Sequence, residues 1–121
     1  MATKKKPVAH TQQTCTASIR AVKDALEILN GKWKLPILIS LMVGGTKRFK
    51  QIAKDIDGIT DKMLSKELKD LEVNQLVKRD VYDSFPPIVE YTITAHGKTL
   101  QKVIGELKEW GTLHRGKIIG K

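Results

Sequence analysis

Between Thr60 and Val73, the donors Lys62, Ser65, Lys66 and Lys69 fall on one side of a helical wheel turned at about 100° per residue. With Leu64 at zero, Leu68 and Leu71 lie within roughly 40° of it, and the four donors lie at roughly 100–200°. Asp61, Glu67 and Glu72 flank the apolar stripe, and Asp70 lies further round. Charge is therefore largely sorted by sign around the helix, although residues 46–83 are nearly balanced in net charge. Lysine can donate to a phosphate or to a base acceptor, and serine can meet either. An apolar side for docking and a donor side for a groove is what a DNA recognition helix requires. The bland alternative is an ordinary solvated face.

Other cations flank this segment. Arg48 and Lys50 stand at the start of the preceding helix, where helix N-termini and side chains often hold phosphates. Lys78 and Arg79 follow it on an extended stretch, and the choice there is between phosphate contact, salt bridging and solvation. The whole chain of 121 residues carries a formal net charge of +9, which favours polyanionic partners by counterion release.

Catalytic and metal chemistry find no matching pattern. The histidines His10, His96 and His114 are far apart in sequence, and no Cys/His/carboxylate spacing resembles a metal site. There is no glycine-rich phosphate loop and no nucleophile elbow. No cofactor and no enzymatic activity are expected. Cys15 is the single cysteine, so no intramolecular disulfide can form and a reducing compartment fits. With no long apolar run and a polar, basic N-terminus, the expected location is cytoplasmic, away from membranes.

The elements that must position these residues follow from periodicity. Residues 1–14 lack periodic apolar positions and read as a basic, flexible arm containing Lys4, Lys5 and Lys6. From Ser18, Ile19, Val22, Leu26 and Leu29 recur every three or four residues and predict a first helix that stops at Asn30-Gly31. A second helix over about 34–43 is apolar nearly all round and should be central, with Gly44-Gly45 ending it. A basic link, Thr46-Lys47-Arg48, leads to a third helix with Phe49, Ile52, Ala53 and Ile56 on one face, broken at Gly58. Thr60 is the N-cap candidate of the fourth, donor-bearing helix and, with Lys62, Ser65, Lys66 and Lys69, a candidate DNA contact, and Asn74 is the left-handed residue at its end. After Leu76 the period drops to two, predicting a β-hairpin with its tip around Ser84-Phe85-Pro86-Pro87. Thr94 caps a last helix over about 95–114. The order is that of a winged helix-turn-helix: a mainly α (α+β) fold with a two-stranded hairpin wing and terminal helices. Residues 15–115 form the domain and 116–121 a short tail.

Three stretches carry a family likeness. Gly31-Lys32-Trp33, Ile37-Leu38 and Arg48-Phe49 form the first. Ile59-Thr60-Asp61-Lys62-Met63-Leu64-Ser65 with Leu68-Lys69-Asp70-Leu71-Glu72 forms the second, and Pro86 to Thr94 with Gly97 and Trp110 the third. Together, over about residues 15–110, the chain resembles the HxlR-type transcriptional regulators. The resemblance implies a MarR-like winged-helix homodimer on double-stranded operator DNA, repressing or activating, with an inverted-repeat site. It places the dimer on the terminal helices, whose stripes Ile19, Val22, Leu26 and Val103, Leu107, Trp110 offer more apolar surface than a small core needs. A winged-helix module that binds protein instead of DNA is the competing reading. Cys15 lies where many members carry an N-terminal cysteine, some of which sense oxidants or electrophiles; a small buried hydrophobe is the alternative. The chain departs from the family in three places. Thr16 stands where proline usually follows the cysteine, and Ile88 where a basic residue commonly follows the paired prolines. Gln75 replaces a frequent glycine, which leaves the turn to Asn74.

Overall fold

The computed structural model describes residues 12–120. Helix α1 (Gln12–Ile28) belongs to one compact unit, and the chain from Gly31 onward forms a second. The second unit runs α2 (Lys34–Gly44), β1 (Thr46–Arg48), α3 (Phe49–Asp55), α4 (Asp61–Val73), β2 (Val77–Tyr82), β3 (Ile88–Ile93), α5 (Ala95–Lys98) and α6 (Gln101–Ile119). This is the winged helix-turn-helix order: α3 and α4 joined by a turn, then the β2–β3 wing.

Helix α2 is central, as its apolar composition requires. Ile37, Leu38 and Leu41 are fully buried and share the core with Ile52 and Ile56 from the α3 segment, Leu64, Leu68 and Leu71 from α4, and Val77, Tyr91 and Ile93 from the sheet. The stripe read from the wheel is thus the core face of α4. Each buried leucine contributes about 1.5–3 kcal/mol of apolar burial, which fixes the rotation of α4 about its axis and with it the direction of the donors. At the start of α4, Thr60 caps as expected: its Oγ1 accepts the Met63 N–H at 3.1 Å. Gly58 adopts φ 87° in the turn between α3 and α4, a backbone conformation that glycine takes without steric cost.

Several boundaries differ from those the sequence suggested. The sheet has three strands in the order β1-β3-β2, all antiparallel, and not two. The basic link Thr46-Lys47-Arg48 pairs with Thr92, Tyr91 and Glu90 of β3. Three residues are too few to show a period, and only a distant partner makes them a strand. Helix α1 is already formed at Gln12, ahead of Ser18; its first turns are polar and carry no apolar period, so the sequence pattern does not reveal them. The rest of the proposed N-terminal arm, including Lys4, Lys5 and Lys6, lies outside the described residues.

The last helix is two. Thr99 and Leu100 donate their N–H groups to His96 and Gly97, both i to i−3, which tightens the chain between α5 and α6. Helix α6 then runs on to Ile119, through most of the stretch read as a tail. The turn after α4 also differs. Gln75, at φ 63°, is the left-handed residue, while Asn74 keeps φ −87° and its Nδ2 donates to the Asp70 carbonyl at 3.0 Å. What holds Gln75 there is the chain around it: Thr94 Oγ1 donates to the Gln75 carbonyl at 2.7 Å, and the Leu76 N–H returns to Leu71. Gly97 packs so closely that a Cβ would lie 2.3 Å from the Leu76 carbonyl oxygen.

Candidate nucleic-acid interface

The candidate DNA-contacting cations from Arg48 to Arg79 stand in solvent. Lys62, Ser65, Lys66 and Lys69 are exposed along α4, as are Lys78 and Arg79 on β2 and Arg48 and Lys50 at the entry to α3. Thr60 is exposed too, and its side chain is committed to the cap. The packing of α4 on β2 brings part of this set together. Ser65 and Lys69 line a cleft of about 360 Å³ with Glu72, Arg79 and Tyr91. Arg48 and Lys50 come from a different element, and Arg48 lies opposite Glu90 in the β1–β3 register. Two of the lysines have carboxylate neighbours at the outer limit of an ion pair: Lys66 with Asp70 and Lys78 with Asp80, both at 3.6 Å. Such exposed pairs are worth well under about 1 kcal/mol and yield readily to a phosphate.

Two of the four carboxylates of α4, Glu67 and Asp70, are engaged by a residue that the sequence reading did not single out. Lys34, only 4% exposed, projects from the first turn of α2. Its Nζ donates to Glu67 Oε1 at 2.5 Å and lies 3.4 Å from Asp70 Oδ2. Burial opposes the charge on Lys34, but the hydrogen bond and attraction to Glu67, and then to Asp70, outweigh it and raise its pKa above 10.5. This ion pair ties α2 to α4 and compensates negative charge beside the donor face. The available signal was a lone lysine opening an otherwise apolar helix, together with acids off the basic stripe.

A second polar knot joins α2, β1 and α3. Lys47 Nζ lies 2.5 Å from Asp55 Oδ2 and 3.2 Å from Ser40 Oγ, and Ser40 Oγ donates to the same carboxylate oxygen at 2.7 Å. Hydrogen bonds from Lys47 and then Ser40 lower the pKa of Asp55 below 3.8. One of the basic residues in the 46–48 link is therefore structural. Gln51 Oε1 accepts the Arg48 N–H at 2.8 Å, which closes the N-terminus of α3 and presents Arg48 at its edge.

The terminal helices present their apolar stripes outward. Ile19, Val22 and Leu26 on α1, and Val103, Leu107 and Trp110 on α6, are between 46 and 63% exposed. Cys15, in the first turns of α1, is exposed. Among the described residues no group of three His, Cys, Asp or Glu could hold a metal ion, and no helix is long and apolar enough to cross a membrane.

A docked helix with its donors outward, followed by a hairpin wing, defines a winged-helix DNA-binding protein. The profile of the HxlR-like helix-turn-helix family matches residues 28–118, and the chain belongs to that family. It is 40% identical over 94 residues to the HTH-type transcriptional regulator YybR of Bacillus subtilis (strain 168), covering 78% of this chain and 74% of that one. Among solved structures it is similar to a MarR-family regulator from Enterococcus faecalis V583, with TM-score 0.71 and 32% identity over 97% of this chain and all of that one. The redox regulator HypR in its reduced form gives TM-score 0.74 and 38% identity, covering 84% of this chain and 99% of the other. The protein is thus a transcriptional regulator of the helix-turn-helix type.

Proposed function

We propose that the chain acts as a homodimer that reads an inverted-repeat operator, with α4 of each subunit in successive major grooves about 34 Å apart. Lys62, Ser65, Lys66 and Lys69 meet base edges and phosphates. Arg48, Lys50, Lys78 and Arg79 hold the flanking backbone. One observation carries the reading. Ser65 and Lys69 share an exposed cleft with Arg79 of the wing root, while Lys34 engages the Glu67 and Asp70 carboxylates of the same helix. The exposed stripes on α1 and α6 support dimerisation through the terminal helices. The exposure of Cys15, and the likeness to a regulator solved in reduced and oxidised forms, support a thiol whose oxidation or alkylation changes operator affinity.

The test is an electrophoretic mobility shift on DNA flanking the protein's own gene, with random DNA as competitor, before and after mild thiol oxidation. Specific binding that is lost on oxidation, and retained on oxidation by Cys15→Ser, is the expected result. Weak and equal binding to both DNAs would point to a protein-docking module. Identical responses of wild type and Cys15→Ser would remove the sensing role.

A further inference from the structure

The wing beyond Arg79 offers no cation. From Asp80 to Gly97 there is no lysine or arginine, and Ile88 follows the paired prolines. At the tip, Phe85 is fully exposed at 101% of its reference area. The loop that carries it is tied down: Ser84 Oγ donates to the Pro86 carbonyl at 2.8 Å and the Ser84 N–H to Tyr82 at 2.9 Å. Pro86 and Pro87 fix their own φ angles and lower the entropy lost when the tip is seated.

The register shows which side of the wing belongs with α4. Val77, Arg79 and Val81 face the same way as their partners Ile93, Tyr91 and Val89, and Arg79 and Tyr91 line the cleft with Ser65 and Lys69. Asp80 and Glu90 oppose each other on the other face, where Lys78 pairs with Asp80. On the α4 side, then, the wing continues outward from Arg79 as Val81 and Val89, without a carboxylate on that face of either strand, and the loop beyond carries Phe85. Asp83 stands at the start of the loop, two residues before Phe85. Three strand residues at 3.4 Å each, plus the loop, set the tip roughly 15 Å from the cleft. The minor groove beside an occupied major groove lies about half a helical turn, or ~17 Å, away.

We infer that Phe85 is an apolar wedge for the minor groove flanking each half-site, and that it selects DNA by how easily a base step opens and not by charge. Apolar side chains placed this way unstack a step and kink the duplex, and pyrimidine–purine steps yield most cheaply. The inference rests on the DNA-binding reading above.

The probe is a duplex recovered by in vitro selection from a randomised pool with the full chain, carrying 2-aminopurine at successive positions outside the protected half-site. Wild type raises the fluorescence at a step about half a turn out. Phe85→Ala abolishes that rise and weakens binding about tenfold, with the slope of log K against log salt unchanged because no phosphate contact is lost. Lys69→Ala lowers the slope by about 1. Wild-type affinity in Phe85→Ala, with no fluorescence rise at any position in wild type, would overturn the wedge and leave the apolar tip to a protein partner. Failure of the selection to enrich any duplex would overturn the DNA reading, and the wedge with it.

Discussion

Replacing Lys34 by methionine removes a charge while keeping most of the side chain's length. Glu67, only 12% exposed, then loses the partner 2.5 Å away, and Asp70 keeps only the looser contact to Lys66. Breaking a buried pair from one side costs about 3–5 kcal/mol, since the remaining charge is left uncompensated. A domain of this size has about 5–15 kcal/mol in hand, and each kcal/mol moves Tm by roughly 4–8 °C, so a fall of at least ~12 °C is expected. Urea unfolding followed by circular dichroism supplies the free energy. The double variant Lys34→Met/Glu67→Leu should recover most of the loss, because two apolar side chains need no compensation. A loss under about 1 kcal/mol in the single variant, or no recovery in the double, would refute the idea that this pair locks α4 onto α2.

Gly97→Ala would set a Cβ 2.3 Å from the Leu76 carbonyl oxygen and 2.7 Å from Ile93 Cγ1, so at least about 2 kcal/mol should be lost in the same assay. Gln75→Gly relieves about 1–2 kcal/mol of left-handed strain at the cost of about 0.5–1 in chain entropy, so a small rise in urea midpoint is expected, and Gln75→Ala should show none. The pH profile of stability has a limit at each end. Lys34 has its pKa raised on folding, so its contribution is complete below pH 10.5 and is lost as pH climbs through the folded value. Asp55 has its pKa lowered, so its contribution is complete above pH 3.8 and is lost as pH falls through the folded value; Asp55→Asn should flatten the acid limb.

How far the sequence alone reaches is clear element by element. The cap at Thr60, the Leu64-Leu68-Leu71 face and the opposite donor face are local properties of thirteen residues, and they are legible on a wheel. The wing strands and their proline-bearing tip follow from a two-residue period and local turn chemistry. Strand β1 is invisible because its partner lies 46 residues away at Thr92. Lys34 does not stand out in the sequence, because the carboxylates it serves lie 33 and 36 residues further on and only packing brings them near. The left-handed Gln75 went to Asn74 by residue preference; the bond from Thr94 to its carbonyl, which settles the matter, is again a tertiary fact.

On the proposed function, the exposed donor face of α4, joined to Arg79 across a shared cleft, holds DNA. The most direct test is the salt dependence of affinity for a selected duplex, wild type against Lys69→Ala and Lys66→Ala, with unfolding curves to show that each variant keeps its stability. Weaker binding is expected in both, with the slope of log K against log salt reduced by about 1 in each. Wild-type affinity and wild-type slope in both variants would contradict it, and would take α4 out of the DNA interface.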